Sequence, residues 1–347
     1  MKISQVAVAC FAFAFAASSA FTSEYSPEFM QAMTKGAKAR IALKVVDDDG
    51  VSVPSVKVRV QMGMNFAVRS YWIDGETDKN GVFLVEGMTT GNKIIIGLSR
   101  DGYYDSSREL HFIRMGSEHE VKDGKWQPWG KEERIVLRKI RNPIELKRQT
   151  FREYRDVDII NEWVGFDLEN NDFVAPNRKG KYSDFEVRFV WDGKWLPDYT
   201  GMAVEIRFPQ KESGGYWIKD SQESNFKGAY SADSNETYLK EFSFFEKTPK
   251  GGERTFKHFD ADKSLVVRSR CVFDEKGKLV SANYACIDRL GFSCAEKGFA
   301  SLHVISVFNP TPNDVNLEDV EVSRRQAVQH RRNAEYEARH SVRGNAE

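Results

Sequence analysis

Glu76, Asp78 and Asn80 stand two residues apart and are followed by Gly81, a spacing that offers oxygens to a hard cation. Alternating oxygen donors closed by a glycine bend form the first half of an EF-hand loop, whose bidentate glutamate falls at the twelfth position. Counted from Glu76 that position is Gly87, with Glu86 one place short, and the flanking residues have strand character rather than helical. The same residues make a plain turn when the Asp78 and Asn80 side chains bond the backbone just ahead of them. The turn is the expected reading. Calcium on Glu76, Asp78 and Asn80 is the one metal alternative, and no other metal or cofactor is expected.

Nucleophilic catalysis requires a base beside the nucleophile and a third group that orients the base. No Gly-x-Ser-x-Gly occurs, and His258 and His303 have no supporting motif. A zinc peptidase would show His-Glu-x-x-His on a helix. His111 and His119 are instead eight apart in strand-like and loop-like sequence, and the phosphate-cradling Gly-x-x-x-x-Gly-Lys-Ser/Thr is missing. With 51 acidic residues, carboxylate pairs suited to glycoside hydrolysis must exist, but spacing singles none of them out. Motifs therefore nominate no catalytic residue.

The tryptophans offer the best binding hypothesis. Trp126, Trp129, Trp191, Trp195 and Trp217 all fall in turn-like or loop-like sequence. Rings there could stack on sugar faces or anchor a protein partner, since they give large contact area at small entropic cost. They could equally plug the open ends of a β-sandwich, and plugging is the reading with more weight. Cys271, Cys286 and Cys294 follow an early Cys10. A bridge between Cys286 and Cys294 across a turn at 289–291 is one expectation; three reduced thiols is the other.

These residues sit in an exported chain. Lys2 supplies a positive start, residues 6–17 are an apolar run of twelve, and Ser18-Ser19-Ala20 provides small residues before a cleavage point. Twelve residues are too few to span a bilayer as a helix, which takes about 20. The expected location is the periplasm, cell surface or exterior, with no transmembrane span after cleavage. The charge balance of 51 cations against 51 anions gives no field that would draw nucleic acid, which is not an expected partner. Oligomeric state is not legible.

Length and pattern give the architecture. At 347 residues the chain is too long for one ordinary core. Ile41, Leu43 and Val45 alternate with smaller or charged neighbours, as do Val56, Val58 and Val60, and both read as half-buried strands. Short strands continue to about residue 140, separated by turns bearing Gly and Asp, which is the pattern of an antiparallel sandwich. Ser26-Pro27-Glu28 before them reads as a helix start and Gly36 as its stop.

Residues 40–115 resemble a carboxypeptidase regulatory-like domain, a transthyretin-like, Ig-like β-sandwich. The resemblance rests on the turn closing at Gly50, Val53-Pro54, Val56-Lys57-Val58, the run from Gly75 through Thr77-Asp78 and Asn80-Gly81 to Phe83, and Gly102-Tyr103. It departs at Ser55-Val56, where the family usually has Gly-Ala. It implies an accessory module and no activity.

The expected organisation is a signal peptide at 1–20, a leader at 21–39, the sandwich at 40–140, a second β-rich domain at 150–316 and a charged tail at 317–347. In the second domain Phe185, Val187 and Phe189 alternate inward, and the tail is a short helix or disordered. That second region also resembles uncharacterised exported bacterial proteins, through Gly165-Phe166-Asp167-Leu168-Glu169, Val174-Ala175-Pro176 and the stretch from Asn309 to Asp314. The fold class is all-β. The expected function is a non-catalytic structural or adhesive role at the envelope, binding polysaccharide or protein. The alternative is an extracytoplasmic hydrolase whose site lies in the second domain.

Overall fold

The structure is a computed structural model that describes residues 26–63, 70–91, 93–112, 121–148, 155–157, 160–191, 201–247, 251–294 and 300–344. The signal segment, His119 and Trp195 lie outside the described residues. The chain is mostly strand and divides into two units. One comprises Met1–Leu98 with Ser107–Ile135, the other Ser99–Ser106 with Val136–Glu347. The division falls at 135–136, and 99–106 goes to the second unit.

The first unit opens with helix α1 (Pro27–Lys35). The Ser26 side chain accepts the Phe29 N–H at its start and the Gly36 N–H returns to Ala32 at its end. Strands β1 (Ala37–Asp47), β2 (Lys57–Met62), β3 (Tyr71–Glu76), β4 (Val82–Thr89) and β5 (Ile94–Ser99) follow. Then come β6 (Ser106–Leu110), β7 (Val121–Lys122), β8 (Lys125–Trp126) and β9 (Lys131–Leu137). One sheet runs β4-β1-β8-β7 with β9 also on β1; the other runs β3-β2-β5-β6. The alternating valines of β2 are buried as their period requires, as are Ile41 and Leu43 of β1 and Val85 of β4.

The second unit is a sandwich of two six-stranded sheets. Its strands begin with β10 (Lys147–Arg148), β11 (Arg155–Val157), β12 (Trp163–Asp167) and β13 (Asp172–Phe173). They continue with β14 (Phe185–Trp191), β15 (Met202–Arg207), β16 (Gly214–Lys219), β17 (Glu241–Lys247) and β18 (Thr255–Lys257). The long strands β19 (Lys263–Phe273), β20 (Leu279–Cys294) and β21 (Ala300–Asn309) precede helix α2 (Val320–Gly344). One sheet has the order β13-β12-β14-β15-β17-β18, the other β10-β21-β20-β19-β16 with β11 also on β21. Phe185, Val187 and Phe189 meet Leu265, Ile287 and Val304 in the core between them. The long-stranded sheet is buried on its other face too, where Tyr216, Val266, Tyr284, Cys286, Val307 and Leu317 form a second cluster. This explains why β19 is apolar or buried at consecutive positions rather than alternate ones.

Arg270 locks the sandwich together. It breaks the β19–β20 register with a left-handed backbone, φ 52°, and so turns its side chain toward the other sheet. Its Nε and Nη2 donate to the two oxygens of Asp184 at 2.9 and 3.1 Å, Nη2 also reaches Asp167, and Nη1 reaches Glu169. The guanidinium plane lies 4.4 Å from the ring centres of both Tyr182 and Phe308. Burial would raise the Asp167 carboxyl, but N–H donors from Lys181, Asn170 and Tyr182 outweigh it and hold the group below its usual range. At Asp184 burial wins over Arg270, and the pKa is raised.

Two expectations are revised. Trp126 is fully buried, its Nε1 donating to Thr89 O, with Phe29 against its edge and Phe112 stacked on it, so it presents no binding surface. Cys286 and Cys294 lie on the same strand, β20, paired respectively with Val307 and Ala300, and Cys286 is a free thiol. At about 3.3 Å per residue along a strand, the two are far beyond the ~7 Å that a disulfide can bridge. The tail from Val320 is a helix, although no wide apolar stripe supports it.

Two substitutions test these packing claims by urea unfolding of the mature chain. Trp126→Ala removes the largest fully buried side chain and is expected to cost about 3–5 kcal/mol. Arg270→Ala leaves buried Asp184 and Asp167 without their cation and is expected to cost about 3–5 kcal/mol. Losses near zero would show that neither contact holds its unit together.

Candidate functional site

The turn at Glu76, Asp78 and Asn80 is closed by its own backbone. Asp78 Oδ1 accepts the N–H groups of Asn80 and Val82 at 2.9 and 2.8 Å, and the Lys44 ammonium bonds Asn80 O. The Val82 hydrogen bond leads the causes that hold the Asp78 carboxyl low. A cation would have to displace those N–H donors and tolerate Lys44. Gly81 has φ 72°, and a Cβ there would meet Val45 O at 2.6 Å, so the glycine is required by the turn itself. Among the described residues no group of three His, Cys, Asp or Glu is arranged to hold a metal.

Trp129, Trp191 and Trp217 are half-buried. Trp217 packs edge-on against Phe242, Phe244 and Phe259. Trp191 ends β14, with its N–H toward Asn161, and Trp129 carries the Lys125 ammonium over its ring. Trp217 thus packs among core rings.

The second unit instead holds a cavity of about 1010 Å³ on the outer face of its long-stranded sheet. A bulge in β20 builds its floor. Ile287 pairs with Ser306 and Arg289 with Ile305, which leaves Asp288 as the extra residue. Cys286 and Asp288, two residues apart, share the cavity face, and the insertion shifts the parity that follows so that Leu290 enters the core as Ile287 does. Asp220, at the end of β16, lines the same cavity and is 6% exposed.

Charge on this floor is only partly matched. Arg148 Nε donates to Asp319 Oδ2, and its Nη1 reaches Asp288 Oδ2 at 3.4 Å. Burial pushes the Asp288 carboxyl up and the Asp220 charge pushes it further, while Arg148 and the Cys286 S–H oppose the rise. Asp220 is likewise raised, first by burial, against the pull of the Ser264 hydroxyl and the charges of Lys227 and Arg138. Cys286 is driven well above its ordinary value by burial and by Asp288 and Asp220, which keeps it a neutral thiol and a poor nucleophile. Two carboxyls biased toward the protonated form in a roomy cavity are suited to giving and taking protons.

The walls are fixed by separate devices. Arg138 Nη1 donates to the carbonyls of Phe226, Lys227 and Gly228, and its guanidinium sits between the rings of Phe226 and Tyr230. Tyr104 stacks on Phe226 and donates to Glu318, which also accepts the N–H groups of Arg141 and Asn142. Helix α2 forms another wall with Val322, Arg325 and Gln329. Asp319 caps it through the Glu321 N–H, Gln326 bonds Tyr103 O and the Asp105 N–H, and His330 meets Asp105 at 2.6 Å. His258, paired with Glu246 at 3.3 Å, and His303, 5% exposed, complete the polar lining. In the sequence both histidines lack a supporting motif, and Asp220, Asp288 and Arg148 carry none either.

No family model matches the sequence, and no curated protein matches it. Among solved structures, 3-chlorocatechol 1,2-dioxygenase from Rhodococcus opacus 1CP aligns at 13% identity and a TM-score of 0.23, over 30% of this chain and 61% of that one. Chlorocatechol 1,2-dioxygenase from Pseudomonas putida aligns at 12% identity with the same score and coverage. The chain thus spans less than two thirds of those proteins, and at that score the likeness carries no argument.

The raised Asp220 carboxyl sets the sign of a stability test. A carboxyl whose folded pKa exceeds its unfolded value contributes stability below the unfolded pKa and loses it as pH rises through the folded pKa. Asp220→Asn is therefore expected to melt a few degrees above the wild type at neutral pH. The gap should close as pH falls toward about 4, the ordinary Asp range. A variant less stable at neutral pH would contradict the buried, poorly matched carboxylate.

Proposed function

We propose that the protein is an exported hydrolase of polar envelope or extracellular polymers, with Asp220 and Asp288 as its acid–base pair. The observation that carries this reading is the presence of both carboxyls on the floor of one large cavity beside Arg148. Arg148 bonds Asp288, no cation bonds Asp220, and burial raises both carboxyls, which suits the pair to exchanging protons with a ligand. The signal-like start of the chain supports export.

The first unit fits an accessory role of the regulatory-like kind. Ser55, standing where that family usually has glycine, has φ 51°, the conformation glycine adopts most readily. With Trp126 buried and Trp217 packed in the core, the aromatic surfaces that favoured a non-catalytic adhesive role lose weight.

The test is a turnover screen of the mature chain on envelope polysaccharides and peptidoglycan fragments, repeated with Asp220→Asn and Asp288→Asn. Hydrolysis is expected, falling at least about 100-fold in each variant. Retention of a polymer without turnover would return the non-catalytic binding role. Turnover untouched by either variant would place the chemistry elsewhere.

A further inference from the structure

Asp220 Oδ1 is buried and meets no hydrogen-bond partner, in a residue 6% exposed whose side chain lines the cavity. The Ser264 hydroxyl beside it, in a residue with no exposure, pulls on the same carboxyl but stands outside hydrogen-bond geometry. Native proteins rarely bury such groups unsatisfied, and a carboxylate with no donor is the costliest kind. Lys227 and Arg138 act on Asp220 by charge, but neither donates a hydrogen bond to Oδ1. Arg138 gives Nη1 to three carbonyls, and Arg148 is divided between Asp319 and Asp288. The floor therefore holds more carboxylate than its bonded guanidinium matches.

The missing group can be specified by elimination. An anion would be repelled by Asp220 and Asp288. A divalent metal finds no set of three ligating side chains among the described residues. A neutral hydroxyl would satisfy one oxygen and leave the charge unmatched. An ammonium carries three N–H donors and one positive charge, which suits Asp220 Oδ1, the Asp288 carboxylate and Ser264 Oγ together.

We propose that this floor is a subsite for a primary ammonium group, so that the cavity takes aminated ligands such as polymers bearing free amino sugars. The inference rests on the cavity being the ligand site and adds the class of ligand. The Cys286 thiol, neutral and pressed against the floor, supplies a compact wall rather than a nucleophile.

The experiment is calorimetric titration of the mature chain with ethylammonium and with glucosamine, against ethanol, glucose and N-acetylglucosamine. Both amines are expected to bind and the neutral molecules at least ten-fold more weakly. Asp220→Asn should weaken amine binding at least ten-fold and Ser264→Ala measurably, while Glu275→Gln, at an exposed carboxylate outside the cavity, should leave it unchanged. Circular dichroism of each variant confirms folding. No binding by either amine, equal binding of the neutral molecules, or unaltered amine binding by Asp220→Asn would overturn the proposal. Because binding is read without turnover, the two readings fail separately. Amine binding with no hydrolysis removes only the enzymatic role, and hydrolysis indifferent to amines removes only the ammonium subsite.

Discussion

The second unit depends on one guanidinium. Arg270 is donated by one sheet and received by Asp167, Glu169 and Asp184 of the segment that edges the other. Its fork geometry matches carboxylates in a plane, and the rings of Tyr182 and Phe308 cover its faces. Such a cluster gains little over an apolar core in net free energy, because each ion gives up its water. Its effect is on geometry. The donors are directional, so the sheets can pair in only one register. The floor and walls of the cavity inherit that fixed frame.

The cavity follows from a second local departure, the bulge at Asp288. Without an inserted residue, Leu290 would turn away from the core that Ile287 enters. With it, β20 keeps its apolar residues inward on both sides of the break, while Cys286 and Asp288 face outward. Burial on that outer face raises both carboxyls, because only Arg148 bonds into the floor. The outer cluster that encloses the floor also needs the loop held by Arg138 and the helix tied down through Asp105. Strand, loop and helix are each secured by a different polar device, and the cavity lies where the three meet.

Local pattern was readable wherever a single element decided the outcome. The alternating valines of β2 and the Phe185, Val187 and Phe189 face of β14 are buried as a period of two requires. Ser26 and Gly36 bound α1 for reasons contained in their own side chains. Helix α2 was legible only as one of two alternatives, because it is anchored by Asp319, Gln326 and His330 rather than by an apolar stripe. Polar anchors have no periodicity. The supposed turn at 289–291 failed for a similar reason: a glycine inside a long strand looks like a reversal until its pairing partners are known.

The amino-acid sequence by itself determined the all-β class, the turn at Gly81 and the inward faces of the regular strands, because each depends on backbone preferences and periods within a few residues. Only the tertiary structure decided that Trp126 is core, that Cys286 and Cys294 share a strand, and that Asp220, Asp288 and Arg148 share a cavity. Those outcomes depend on which strands pair and where one extra residue shifts the parity. The charges that face one another come from segments far apart in the chain, so no local pattern records their meeting.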